Sequence, residues 1–410
     1  MAEPYARWQQ ATLEQALTTR RVVLLSGPRQ CGKTTLARSL ASAQLPYLTL
    51  DDVTLLGAAR NDPQGFVAHS GKILIIDEVQ RVPTLLSAIK RAVDEETRPG
   101  QYLLTGSANI QSLPQVQESL AGRIANIRLR PLSQGELQRK LPHFLEQAFN
   151  QNCSEKHVVH NKDAMIEMAI QGGFPEAIQF KGLARRNWHR DFISALVERD
   201  LKDIANIQRK DAMRELINIA AAWSSKFMDL TRMGTGLSIQ RPTLESYLNA
   251  LETLYLVERI RPWSKADYGR VGKQTKLFMT DCGLMAALLG WNTEQVRLHP
   301  DRCGKLIETF IFNELATQID VGNGLYQLFH YRDREQREID FLVEREDGAL
   351  LGIEVKAGSA VGKEDFKHLI WFQKQLPPAQ KLVAVVLYSG EHLVSFGPSL
   401  WAVPFGLLWG

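Results

Sequence analysis

An α/β chain in three parts follows from three features of the sequence. Near the N-terminus a short apolar run, RVVLLS at residues 21–26, feeds directly into Gly27-Pro28-Arg29-Gln30-Cys31-Gly32-Lys33-Thr34 and then into a helical pattern. Through the middle, apolar residues recur at helical spacing and give way to two strand-like runs. The last stretch returns to strands with acids and a lysine among their residues. The expected divisions are 1–150, a P-loop domain on a parallel sheet; 151–300, a helical lid with a winged helix; and 301–410, an α/β domain.

The first part is fixed by its loop. Strand, glycine-rich loop and helix in immediate succession are the context that a phosphate-binding loop requires. Gly27 and Gly32 let the backbone curl so that successive N–H groups converge on phosphate oxygens, and the helix that follows adds roughly half a positive charge at its N-terminus. The cradle is expected to run through Gly27, Pro28, Arg29, Gln30, Cys31, Gly32, Lys33, Thr34 and Thr35, with Lys33 on the β and γ phosphates and the Thr34 hydroxyl on magnesium. ATP and Mg2+ are therefore the expected cofactors.

KILIIDEVQ, which contains Asp77 and Glu78, is a buried parallel strand running into carboxylates at its ligand-facing tip. Asp77 is expected to hold magnesium and Glu78 to act as general base toward water. QYLLTGSAN supplies a further strand, and Ser107 or Asn109 at its tip would sense the γ phosphate or orient the water. IANIRLRP closes the sheet, and Arg123 stands just before it.

The middle part is mostly helical. FISALVERDLKDIANI is expected to form the lid, and Pro242 opens a helix that puts Leu244, Tyr247, Leu248, Leu251 and Leu254 on one face. VERIRPWSK and KLFMTD then form a hairpin, so helices plus hairpin predict a winged helix-turn-helix. Arg259, Arg261, Lys265, Arg270, Lys273 and Lys276, interleaved with Trp263 and Tyr268, make that wing the expected DNA-backbone contact.

In the C-terminal part a helix from Gly304 presents Glu308 and Glu314. In REIDFLVE, strict alternation would turn Ile339 and Phe341 one way and Asp340 the other; in GIEVK it buries Ile353 and Val355 and places Glu354 and Lys356 together. Two carboxylates and one ammonium would thus converge as in a magnesium nuclease, with Asp340 and Glu354 on the metal and Lys356 steadying water and phosphate.

These parts carry resemblances. The order of elements in 1–150 resembles the AAA-type ATPases, which implies that Arg123 reaches a neighbouring subunit's nucleotide and that the protein is a homo-oligomer. The C-terminal set resembles the PD-(D/E)XK nuclease superfamily, with Glu308 as the matching helical acid, which implies a nuclease-like domain that is either active or an inactive descendant. Along its length the chain is similar to a widespread family of prokaryotic ATPases, through GPRQxGKTT, IDEVQ, LTGS, SLAGR, TDCGL and EVKAG in that order. The resemblance supplies no substrate; the leading reading of the whole chain is an ATP-hydrolysing motor that binds or remodels DNA, branched DNA included, and the alternative is a regulatory ATPase switch whose nuclease-like domain is inactive and binds a partner.

Composition sets the frame. The 410 residues are 44% hydrophobic and 23% charged, which suits a folded chain of two or three domains. No apolar run is long enough to cross a bilayer and the N-terminal stretch is not a signal peptide, so a cytoplasmic protein with no membrane partner is expected. Cys31, Cys153, Cys282 and Cys303 are scattered, and Cys31 lies inside the loop, so a reducing compartment without disulfides is expected. A net charge of +4 leaves the distribution of charge, rather than its total, to indicate a nucleic-acid partner.

Overall fold

The structure is a computed structural model that describes residues 5–41, 46–69, 71–107, 122–153, 159–199, 209–264 and 274–409. It divides into two compact units, Met1–Leu132 with Asn249–Leu256 and Ser133–Leu248 with Val257–Gly410. The first unit's main segment ends at Leu132.

In the first unit, buried apolar runs become a parallel sheet. Among the described residues it holds β1 (Val22–Ser26), β2 (Tyr47–Thr49), β3 (Leu74–Asp77), β4 (Tyr102–Gly106) and β5 (Ile124–Arg128), in the order β2-β3-β4-β1-β5. Every residue of β1, β3 and β4 is buried, because helices cover both faces. Alternation divides the two faces. Val22, Leu24, Ile76 and Leu104 pack with Leu85 and Ile89 of the helix Thr84–Glu95, whereas Val23, Leu25, Ile75 and Leu103 pack with Leu13 and Leu36. β4 lies between β1 and β3, so a residue at its tip reaches both the loop strand and the carboxylate strand.

The second unit is built on one sheet in the order β13-β14-β12-β11-β10-β9-β7-β8-β6. Its strands are β6 (Lys226–Phe227), β7 (Val257–Pro262), β8 (Lys276–Met279), β9 (Tyr326–Arg332), β10 (Glu338–Arg345), β11 (Leu350–Lys356), β12 (Leu382–Tyr388), β13 (Val394–Gly397) and β14 (Leu400–Pro404). The expected hairpin exists, with Val257 opposite Met279 and Ile260 opposite Lys276. It is not a separate wing, because β7 also pairs in parallel with β9 through Arg261–Phe329 and Pro262–His330. Trp263 is consequently buried in the C-terminal core, edge-on to Phe372 at 5.3 Å, and is not available to stack on a base.

The helix Arg241–Thr253 buries Leu244, Tyr247, Leu248 and Leu251, the face expected of it. The helix predicted from Gly304 starts earlier and spans Pro300–Val321, with proline in its first turn where no N–H partner is needed. Asp281 in the TDCGL motif is a structural staple: it accepts from Leu284 N at 2.6 Å and Gly173 N at 2.7 Å. Gly172 permits that contact, since a Cβ there would lie 2.6 Å from the Asp281 carboxylate and its φ is +67°.

One expected alternation fails for a visible reason. The β9–β10 register shifts between Ile339 and Leu342, a bulge that puts two residues where regular pairing needs one. Ile339 and Leu342 therefore share a core cluster, while Phe341 meets Phe278 at 5.6 Å and Asp340 meets Lys276, which stands on the same face of β8 as Phe278. No helix among the described residues is long and apolar enough to cross a membrane.

Candidate functional site

The loop after β1 adopts the shape its glycines allow. Gly27 has φ +153°, and a Cβ there would lie 2.1 Å from the Leu129 carbonyl oxygen; Gly32, at φ +104°, opens the helix Lys33–Ser39. The Cys31 thiol is buried beneath the loop and donates to the Leu129 carbonyl at 3.3 Å, so its role is to seat the loop. Arg7 clamps the same region from outside by donating to the carbonyls of Cys31 at 2.7 Å and Arg130 at 2.6 Å. Lys33 is buried, and its ammonium donates to the carbonyls of Gly27 at 3.0 Å and Pro28 at 2.7 Å, which holds the cation over the curl of the loop.

Asp77, at the tip of β3, gathers three hydroxyls. Thr34 Oγ1 donates to its Oδ2 at 3.1 Å, Thr105 donates to its other oxygen, and the Tyr47 phenol also donates to Oδ2. Burial, followed by the adjacent Asp77, pushes the Tyr47 phenol up to about 12, so it remains a donor at neutral pH. Thr34 and Asp77 present hard oxygens of the kind magnesium prefers.

Glu78 leaves the strand abruptly. Its φ is +58°, a left-handed conformation that costs a non-glycine residue about 1–3 kcal/mol and therefore needs support from its surroundings. That support is present: Glu78 N donates to Thr105 Oγ1 at 3.2 Å, and Gln80 Nε2 donates both to the Glu78 carboxylate and to Ser107 Oγ, the latter at 3.0 Å. Ser107 Oγ lies 3.4 Å from the same carboxylate. Thr105 thus ties Asp77 to Glu78, as the position of β4 between β1 and β3 requires. Thr105, Tyr47 and Gln80 were not singled out from the sequence, although Thr105 stands in LTGS and Gln80 in IDEVQ.

Arg123 is held within its own chain by Asp94, with Nε to Oδ1 at 2.5 Å and Nη2 to Oδ2 at 3.1 Å. The pairing Val22–Ile124 puts it at the start of β5, whereas the phosphate loop leaves the far end of β1. Five residues of strand, about 16 Å, separate the two levels, so Arg123 does not serve its own chain's loop.

The C-terminal acids do converge, but around a different cation. Lys276, assigned from sequence to the DNA-contacting wing, is 1% exposed. Its ammonium lies 2.5 Å from Glu308, 2.8 Å from Glu338 and 3.7 Å from Asp340. Three carboxylates hold that lysine charged and outweigh its burial, so its pKa is raised. Lys356, the expected partner, is instead 3.4 Å from Asp365. Asp340 Oδ2 accepts from Val355 N at 2.9 Å, and burial followed by the nearby Asp340 charge pushes the Glu354 carboxyl up to about 10. Among the described residues no group of three or more His, Cys, Asp or Glu is placed to hold a metal ion. Lys276 thus stands among the acids from which the sequence leads one to expect a magnesium pair, Asp340 and Glu354.

Glu314 is anchored elsewhere. It is buried, accepts from Gln134 N at 2.9 Å, and burial pushes its carboxyl up to about 8. Of the expected DNA contacts, Arg261 is exposed on β7 and Arg259 half-buried. Lys265, Arg270, Lys273 and Asn109 lie outside the described residues.

Residues 19–138 match the AAA domain family, residues 162–295 a domain of unknown function (DUF8612) and residues 303–408 a second domain of unknown function (DUF4143). An uncharacterized protein of Mycobacterium tuberculosis is 27% identical over 400 residues, covering 96% of this chain and 82% of the relative. An uncharacterized protein of Haemophilus influenzae is 22% identical over 359 residues, covering 80% and 81%. Among solved structures, AMPPCP-bound DnaA from Aquifex aeolicus aligns with TM-score 0.30 and 14% identity over 59% of this chain and 85% of its own. The RuvB Holliday junction branch migration motor of Thermotoga maritima aligns with TM-score 0.29 and 18% identity over 62% and 90%. The family match and the parallel five-stranded sheet together make the first unit an AAA P-loop domain.

Proposed function

We propose that this chain binds ATP with magnesium and hydrolyses it, that it works as a homo-oligomer, and that the second unit couples the nucleotide cycle to DNA. The observation that carries the hydrolysis reading is the meeting of Thr34, Asp77, Thr105 and Glu78 at the tips of β3 and β4 beside the phosphate loop. The loop N–H groups and Lys33 would bind and orient the phosphates, while Glu78, fixed by Gln80 and the Thr105 hydroxyl, would take a proton from the attacking water. Magnesium, held by Thr34 Oγ1 and Asp77, would neutralise charge developing on the phosphate oxygens.

Assembly is supported by the position of Arg123. A guanidinium remote from its own loop and steadied by Asp94 suits delivery to a neighbouring subunit's nucleotide, a contribution worth roughly 10³–10⁵ in rate. Arg123→Ala is expected to bind ATP normally and hydrolyse it slowly, and mixing it with Lys33→Ala is expected to restore part of the activity. A single-species Arg123→Ala protein with the wild-type rate would contradict the assignment.

The winged-helix reading is supported by the order helix Lys210–Trp223, β6, helices Leu230–Gly234 and Arg241–Thr253, β7 and β8, with β6 paired to β8. The nuclease-like reading is supported by the helix Pro300–Val321, the β9–β10–β11 meander, the helix Lys367–Gln375 and the parallel strand β12. Lys276 favours the second function, in which that fold grips DNA or a partner without cutting. Phosphate release measured alone and with duplex, single-stranded and branched DNA tests the coupling, and stimulation by one DNA shape is expected. No response to any DNA would remove DNA from the account. Neither magnesium nor manganese is expected to support nicking; cleavage abolished by Asp340→Asn would restore an active nuclease.

A further inference from the structure

Within the second unit a cleft of about 650 Å³ is lined on one side by a basic stripe. Lys181, Arg185 and His189 stand four residues apart, on one face of the helix Gly182–Arg199 and the residue before it, and Arg186 adds a second guanidinium. Met168 and Trp291 line the same cleft, and Glu167 is its carboxylate.

Two of these groups are arranged for a ligand. His189 is 1% exposed, and neither ring nitrogen has a hydrogen-bond partner among the described residues. A buried polar group left unpaired is costly, and this one lines the cleft. Arg185 uses Nε on the carbonyls of Phe180 at 2.9 Å and Ala177 at 3.3 Å, which fixes the guanidinium plane and leaves both terminal nitrogens unbonded among the described residues. Burial lowers the Arg185 pKa and holds the His189 imidazole down to about 4, with Arg185 adding to the effect, so the imidazole is neutral and still offers one N–H.

We infer that this cleft is a second ligand site, for a nucleoside phosphate, with the phosphate on Arg185, Arg186 and His189 and the base against Trp291 and Met168. Guanidinium forks match phosphate oxygens bidentately, whereas a flat apolar wall suits a ring. The volume falls in the range of small-molecule sites, about 300–1,000 Å³, and far exceeds what a phosphate ion fills. The nucleoside phosphate has two chemical sources, a free nucleotide or one residue of a single strand.

Isothermal titration of the full chain carrying Lys33→Ala, which disables the phosphate loop, tests the site with AMP, tetrathymidylate and inorganic phosphate. AMP or tetrathymidylate is expected to bind at one site, at least about tenfold tighter than inorganic phosphate. Tighter AMP assigns the cleft to a free nucleotide, and tighter tetrathymidylate to a strand. Arg186→Glu, at a half-buried position, is expected to weaken binding by at least about tenfold, and His189→Phe to do the same. Heat from neither AMP nor tetrathymidylate, affinities unchanged in Arg186→Glu, or inorganic phosphate binding as tightly as both would overturn the assignment.

Discussion

Replacing Glu78 with Gln is expected to leave ATP and magnesium bound while lowering hydrolysis by about 10²–10⁴, because only the group that receives the water proton is altered. The amide keeps the shape that Gln80 and Ser107 support, so the left-handed turn at Glu78 persists and folding is little changed. Replacing Thr105 with Val is the informative companion. It removes the hydroxyl that bonds both Asp77 and Glu78 N without touching substrate, so its kcat should fall more than its KM rises. Equilibrium binding of a fluorescent ATP analogue beside steady-state phosphate release separates the two effects. A Glu78→Gln protein with the wild-type rate would remove Glu78 from the base role.

Lys276→Met is expected to be among the most destabilising single changes in the second unit, by about 3–5 kcal/mol, because it removes a buried cation and strands the half-buried carboxylates that surround it. The loss should depend on pH with a definite sign. In the variant, Glu308 keeps its burial but loses the neighbouring positive charge, so its folded pKa lies further above the unfolded one. Its contribution is then present below the unfolded carboxylate range and lost as pH rises through the folded value. Burial already pushes Glu308 up to about 8 in the wild type despite the lysine, so the two proteins lose this contribution alike below that value and the deficit should widen as pH rises from about 8 to about 10. Thermal melts across that range check it, and the double variant Lys276→Met with Glu308→Gln should recover part of the loss. A deficit that shrinks toward high pH would mean the lysine does not neutralise these acids.

The candidate nucleotide site was legible in the sequence because its residues are local. Loop, lysine and threonine are contiguous from Gly27 to Thr34, and Asp77 and Glu78 are adjacent at the end of an apolar run. What the sequence hid came from pairing. Thr105 acquires its role because β4 inserts between β1 and β3, which no spacing within QYLLTGSAN reveals. Lys276 and Glu338 are 62 residues apart and meet because the hairpin joins the C-terminal sheet through β7 and β9. Counting charges on an isolated hairpin therefore assigned a buried structural cation to the surface, and placed Trp263 with it. A bulge likewise cannot be read from alternation, so Asp340 and Phe341 were assigned to opposite faces of β10. Helix periodicity survived better, since the apolar face of Arg241–Thr253 depends only on residues within one element.

Steady-state phosphate release from magnesium ATP, measured for the wild type and Lys33→Ala at equal concentration, bears most directly on the nucleotide site. The wild type is expected to turn over ATP and Lys33→Ala to stay at the background of the assay, with turnover in the wild type lost on chelating magnesium. Equal rates in the two proteins, or a wild type that binds ATP and magnesium in every assembly state yet releases no phosphate, would contradict the account.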